Sequence, residues 1–237
     1  MKRLFLASGV ALALVPLLAP PAMAAKPNIY HTISSTHGSA VVSRVEGCEL
    51  TEVFVSSSAA MYAAQPGPVN KQGLTSVFVR VTDTCASARA GARAAAVRPA
   101  AAGGGAVLFS AEGQNMAPLV ADSRLTKASV SDVIKGTDDQ ENPVTITLHA
   151  SWTGTGPLEH TTVRTGDHYA DGNVSAHDNN LRRDAVAEVS VTVTGEGTDL
   201  SVTGTDQTAV LERVKSMCIE VPRPGVTEFY PCFGFPG

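Results

Sequence analysis

Pro143–Pro157, PVTITLHASWTGTGP, decides the fold class. Val144, Ile146, Leu148, Ala150 and Trp152 alternate with Thr145, Thr147, His149 and Ser151. That period of two puts an apolar row and a polar row on opposite faces of a pleated strand. The single tryptophan therefore faces a core, and the Thr/His row faces solvent or a ligand. Gly154-Thr155-Gly156-Pro157 ends the run, because glycine admits unusual φ and proline removes a ladder donor.

The same alternation recurs on both sides of this stretch. Ala40–Val45 and Leu50–Ser57 read as strands, as do Ser76–Asp83 (SVFVRVTD, with Val77, Val79 and Val81 inward), Ala106–Ala111 and Leu125–Ile134. After it come Glu159–Arg164 as a weaker strand, Ala185–Thr194 (AVAEVSVTVT, with Val189, Val191 and Val193 inward), Leu200–Thr203, Ala209–Val214 and Met217–Val221. Between them, Met61–Gly73 reads as a long loop around Pro66-Gly67-Pro68, and Thr165–Asn180 as a polar loop. Residues 25–39 support a leader or an edge strand. No segment carries sustained helical periodicity, so the expected fold is all-β. It is an antiparallel β-sandwich, jelly-roll-like or Ig-like, of about ten short strands.

Residues 86–106, ASARAGARAAAVRPAAAGGGA, break this pattern. Their Ala/Gly/Arg composition offers no apolar stripe to bury, which points to a flexible surface insertion. The functional alternative is an anion-binding arm carrying Arg89, Arg93 and Arg98. The remaining plan is a single domain over residues 40–221 followed by a disulfide-tied tail, 222–237.

The amino terminus predicts export. Lys2 and Arg3 precede an apolar run from Leu4 to Leu18, and Ala22-Met23-Ala24 offers a cleavage site after Ala24, making residues 1–24 a signal peptide. An apolar run of about 15 residues is short of the roughly 20 that span a bilayer, so no transmembrane anchor is expected in the mature chain. Removing 24 of the 237 residues, among them Lys2 and Arg3, leaves 213 with 16 Lys+Arg against 22 Asp+Glu. That acidic balance repels phosphate backbones, and no nucleic-acid partner is expected. Four cysteines in an exported chain suit two disulfides. Pairing sequence neighbours gives Cys48–Cys85 and Cys218–Cys232, each closing a local loop.

Several features in order, namely the signal peptide, Cys48 ahead of Val53–Val55, Ser76–Cys85 and the W-T-G-T-G-P of Trp152–Pro157, resemble a group of uncharacterised secreted bacterial β-rich proteins. The likeness covers roughly Val45 to Val193. It implies an exported β-rich fold and brings no activity with it.

Chemistry is sparse. Asp167, His168, Asp171, Asn173, His177 and Asp178 lie in the most polar stretch, where alternate oxygen donors around Gly172 suit calcium and the two histidines suit a transition metal. Ordinary turn chemistry accounts for the same residues. His149 and His160 flank the Gly-Thr-Gly-Pro turn, and a hairpin there would unite them as a polar cluster with Glu159 or Asp167. Neither a G-x-S-x-G elbow nor an H-E-x-x-H pair occurs, and no catalytic residue is singled out.

The expected function is non-catalytic: an exported β-sandwich acting through surface contacts, in binding or in structure. The alternative is a metal-dependent or hydrolytic enzyme centred on residues 149–178. A weaker one is a protease inhibitor presenting Pro222-Arg223-Pro224 from the 218–232 loop.

Overall fold

In a computed structural model, which describes residues 29–65, 69–86, 105–226 and Cys232, the chain is built of ten strands. They are β1 (Ile29–Glu46), β2 (Glu49–Gln65), β3 (Val69–Asp83), β4 (Ala106–Asn115), β5 (Val120–Ala121), β6 (Lys127–Asp138), β7 (Pro143–Gly154), β8 (Glu159–Tyr169), β9 (Gly172–Gly195) and β10 (Thr198–Pro222). Every registered pairing is antiparallel. The all-β, antiparallel expectation is met. The expected signal peptide 1–24, residues 25–28, residues 87–104 of the expected insertion and most of the expected tail lie outside the described residues.

The strands make one sheet rather than two facing ones, and that sheet closes on itself. Its order runs β10-β1-β2-β3-β4-β6-β7-β9, and β9 pairs again with β10. Eight strands thus form a ring, the arrangement that removes sheet edges. Alternation in sequence tells which residues point inward. It does not tell whether the first and last strands meet, which is why a sandwich and a ring look alike in sequence.

The ring core is the alternating rows. Val144, Ile146, Leu148, Ala150 and Trp152 are all buried, packed with Val189, Val191 and Val193 of β9 and Val53, Val55, Val77 and Val79 of β2 and β3. Trp152 is 1 % exposed, and its indole N–H donates to the Ser39 carbonyl at 3.0 Å, which satisfies its only donor.

Between β4 and β6 the chain folds inward as a plug, residues 116–126. Leu119 and Leu125 insert into the core. The Leu119 N–H donates to the Ser58 carbonyl of β2 at 3.2 Å, and the Thr75 hydroxyl donates to the Ala117 carbonyl at 2.8 Å while contacting Ser57 Oγ at 2.8 Å. Gly73 makes room: a Cβ there would lie 2.4 Å from Pro118 Cα. The plug ends in an Asp122 turn, where the carboxylate accepts from the N–H groups of Arg124, Thr126 and Lys127.

Several strands run past the ring, so they are long rather than short. β9 changes partner along its length, pairing with β7 from Ala185 to Gly195 and with β8 from Gly172 to Arg182. The upper halves of β9, β10, β1, β2 and β3, edged by β8, form a six-stranded wing that continues the ring wall. Three expectations change here. Residues 29–39 belong to β1 and pair on both sides, with β2 and β10, so they are neither leader nor edge. Residues 61–65 and 69–73 are strand rather than loop, with Met61 opposite Lys71 and Ala63 opposite Val69, and 66–68 lie outside the described residues. Thr165–Asn180 is the hairpin of β8 and β9, turning at Ala170-Asp171. None of these segments carries a sustained apolar row, so pairing makes them strands.

Both disulfides join sequence neighbours, Cys48–Cys85 and Cys218–Cys232.

Candidate functional site

The wing has two faces, and register assigns each side chain to one. Residues directly opposite in adjacent strands project to the same side. One row runs Thr162–Asn179–Lys215–Ser34–Met61–Lys71 across all six strands. The next runs His160–Leu181–Arg213–Thr36–Ala59–Gly73, and the one beyond it Arg164–His177–Met217–Thr32–Ala63–Val69.

These rows share the side of the ring interior, because Arg213 in one of them and Arg183 in the row below both reach the plug. Arg213 Nη2 donates to the Asp122 carbonyl at 2.9 Å and its Nε to Thr36 Oγ1 at 2.9 Å. Arg183, in the row below, donates from Nη1 to the Arg124 carbonyl at 3.3 Å.

This inner face carries Lys71, Arg164, Arg183, Arg213 and Lys215, with His160, His168 and His177, and among the described residues of its strands it carries no carboxylate. The opposite face carries Glu159, Asp167, Asp178, Asp184, Glu212 and Glu220 against one arginine, Arg182, and two histidines, His31 and His37. Charge is thus separated across one layer of sheet in a chain whose formal net charge is −4. Where the inner face meets the plug stands the acidic side chain of Asp122. Its hydroxyl bond from Thr126 is the largest of the contacts that hold its pKa down to about 2, so that carboxylate is committed to its own turn. A cleft of about 520 Å3 opens where the inner face meets the plug, lined among others by Ser34, Met61, Lys71, Met116, Leu119 and Arg213.

The same parity disperses the residues expected to bind metal. His168 and Asn173 share the inner face, with Nδ1 of the first 2.9 Å from Oδ1 of the second, and His177 lies opposite Arg164. Asp167 and Asp178 point to the other face, opposite Val174 and Val163. Asp171 sits in the turn, its carbonyl accepting from the Arg223 N–H at 2.8 Å. Among the described residues no three of these acids and histidines bring ligand atoms within 4.8 Å of one another.

His149 and His160 are not united either. β7 and β8 do not pair; they lie end to end along β9, with Gly154 opposite Ala185 and Glu159 opposite Arg182. His149 is on the outer ring wall, its Nδ1 3.0 Å from Ser131 Oγ, above a shallow depression shared with Glu188, Ser190 and Thr203. His160 is on the wing, 3.2 Å from the Thr162 hydroxyl. Pro222-Arg223-Pro224 forms a turn docked on Asp171 and closed by the Val226 N–H to the Arg223 carbonyl at 3.1 Å.

Two features lay outside the sequence reading. On the acidic side of the wing, Glu220 is 0 % exposed beside the Cys218–Cys232 disulfide. Its Oε1 accepts from the Cys232 N–H at 2.8 Å, its Oε2 stands 3.6 Å from His31 Nε2, and His31 Nδ1 stands 3.1 Å from the Tyr62 hydroxyl. The cystine sulfurs are covalently committed, so this cluster has no thiolate to offer a metal. On the outer ring wall, an open cleft of about 820 Å3 has Phe54 and Phe78 in its floor, ring centroids 6.0 Å apart, with Glu112 and Lys135 at its rim.

The carboxylates with lowered pKa serve structure. Asp122 anchors the plug turn. Asp138 holds its own turn, with Asn142 as its strongest partner. For Asp206, burial pushes the pKa up but is outweighed by hydrogen bonds from Val41 and Thr208. No family model matches the chain, and no curated protein is similar to it.

Proposed function

We propose that this is an exported, non-catalytic binding protein whose contact surface is the inner face of the wing. The observation that carries the reading is the separation of charge across the wing: five Lys/Arg and three His with no strand carboxylate on one side, six carboxylates with one Arg and two His on the other. Unlike charges interleaved over one face would neutralise each other within a Debye length of roughly 8–10 Å. Segregated by strand parity, they give each face a field of its own. Two further features support binding over turnover. The acids with lowered pKa are turn and seam anchors, and the histidines are spread over both ring wall and wing. The leader sequence and two disulfides support an oxidising destination outside the cell.

Ion exchange tests the surface directly. A chain with more acids than bases is expected to be retained at pH 7 and low salt on a sulfonate resin, through the wing alone. Lys71→Ser, Arg164→Ser and Lys215→Ser together are expected to abolish retention, whereas Arg182→Ser on the other face leaves it intact. Flow-through of the unaltered protein would refute the reading. For the address, amino-terminal sequencing of protein from the culture medium is expected to begin at Ala25.

A further inference from the structure

We infer that the occupant of the inner face is a linear acidic polysaccharide lying across the strands from β3 to β8. The inference rests on the binding reading above and names the ligand class.

Three observations favour an extended polyanion over a small one. The cations are spread: Lys71 on β3, Lys215 on β10 and Arg164 on β8 span five strand spacings, about 24 Å at the usual 4.7–4.9 Å per strand. A single phosphate or carboxylate would engage one of them. The charges are also separated by neutral hydrogen-bonding groups, Thr32, Ser34, Asn179 and Thr162, in the same and adjacent rows. These suit the hydroxyls between the acidic groups of a sugar chain. One end of the strip is recessed: the cleft at the plug places Lys71 and Arg213 beside Met61 and Met116, so a chain terminus has both cations and an apolar wall there.

The composition of the face also separates sugars from nucleic acid. Single-stranded nucleic acid draws much of its affinity from aromatic side chains on which bases stack. Among the described residues of the inner face the only aromatic ring besides histidine is Tyr30, at the far end of β1. Lys71, Lys215 and Arg164, all exposed, are instead placed for point contacts with sulfate or carboxylate. Arg183 keeps a buried Nε with no hydrogen-bond partner, the kind of donor an anion at the plug end would satisfy.

The test is calorimetric titration of the secreted protein with sulfated and uronate oligosaccharides of increasing length, with inorganic sulfate, and with single-stranded DNA of matched charge. Affinity is expected to rise with oligosaccharide length until the chain spans about 24 Å and then to level off. Each of Lys71→Ser, Lys215→Ser and Arg164→Ser is expected to lower the slope of log K against log salt by about one, as the loss of one ion contact does for other polyanions. These side chains are exposed or at the wing edge, so folding is not at stake; Arg213 and Arg183 are left alone because they hold the plug. Arg182→Ser on the opposite face is expected to change nothing. Equal binding of inorganic sulfate would replace the chain with a small anion and overturn the inference, and tighter binding of DNA than of any oligosaccharide would overturn it too. No binding of any oligosaccharide by a protein still retained on sulfonate resin would overturn the ligand class and leave the binding face standing. Loss of both would remove the face itself.

Discussion

Asp206 extends the β1–β10 seam past its backbone ladder, and replacing it measures how much that end of the seam contributes. The backbone ladder between β1 and β10 runs from Ile29–Glu220 to Ser39–Val210 and stops there, next to a register shift in β10 between Asp206 and Ala209. Beyond the ladder a side chain takes over. Asp206 Oδ2 accepts from the Val41 N–H at 2.8 Å, and Oδ1 accepts from the Thr208 N–H at 2.7 Å and its hydroxyl at 2.8 Å. Asp206→Ala orphans the Val41 donor at about 1–3 kcal/mol and loosens the bulge at about 1 kcal/mol more, so about 2–4 kcal/mol is expected. At 2–4 °C per kcal/mol for a domain of this size, the melting midpoint falls by roughly 4–16 °C. Asp206→Asn keeps one oxygen acceptor and is expected to lose less.

The acid limb supplies the sharper test. The folded carboxyl titrates below its unfolded value because the three hydrogen bonds outweigh burial. Its contribution is therefore fully present above the unfolded pKa of about 4 and is lost as pH falls through the folded value. Urea unfolding at pH 7 and pH 3 is the assay. The gap between parent and Asp206→Ala is expected to be large at pH 7 and smaller at pH 3, with m unchanged. A gap below about 0.5 kcal/mol at pH 7, the size of an ordinary surface change, would refute the seam. A gap of equal size at both pH values would refute the role of the charge.

Leu119→Ala empties part of the plug where Leu119, Leu211 and Trp152 crowd Gly38, and chemical denaturation is expected to show a loss of about 2–5 kcal/mol. Replacing Cys218 and Cys232 together by serine opens a loop whose ends are 14 residues apart; the expected cost is about 3 kcal/mol, read from the same unfolding curves. Calcium titration followed by thermal melting is expected to leave the midpoint unmoved, because Asp167 and Asp178 face away from His168 and His177; a rise with calcium would show a site that this register does not provide.

What the sequence disclosed, and what it hid, follows from parity. β3, β7 and the ring half of β9 are legible because valine or isoleucine every second residue has one explanation, a half-buried strand. β8 hides because all its residues are exposed, so nothing in Glu159–Tyr169 alternates in hydropathy. Ring closure hides because no local pattern says that β10 meets β1. The disulfides were legible because each joins cysteines adjacent in order along the chain: Cys48 and Cys85 bracket β2 and β3, and Cys218 and Cys232 stand 14 residues apart. The cationic face was encoded, but in charge rather than hydropathy. Glu212-Arg213-Val214-Lys215 and Asp178 beside His177 put acids at even and bases at odd positions in the wing halves of β9 and β10, Arg182 excepted, a signal that counting net charge averages away. Tyr62, His31 and Glu220 meet only because three distant strands share a register, and no spacing in the chain announces them.

Register is accordingly what everything here depends on, since a slip of one residue in β10 exchanges its two faces. Cross-strand Hα–Hα and amide NOEs in a labelled sample measure it most directly. The structure predicts that β10 has partners on both sides, with Lys215 opposite Ser34 and Asn179, and Arg213 opposite Thr36 and Leu181. NOEs placing Lys215 opposite Ser35 and Asn180 would send its charge to the acidic side, and the absence of any β1–β10 contact would open the ring; either result would contradict the account.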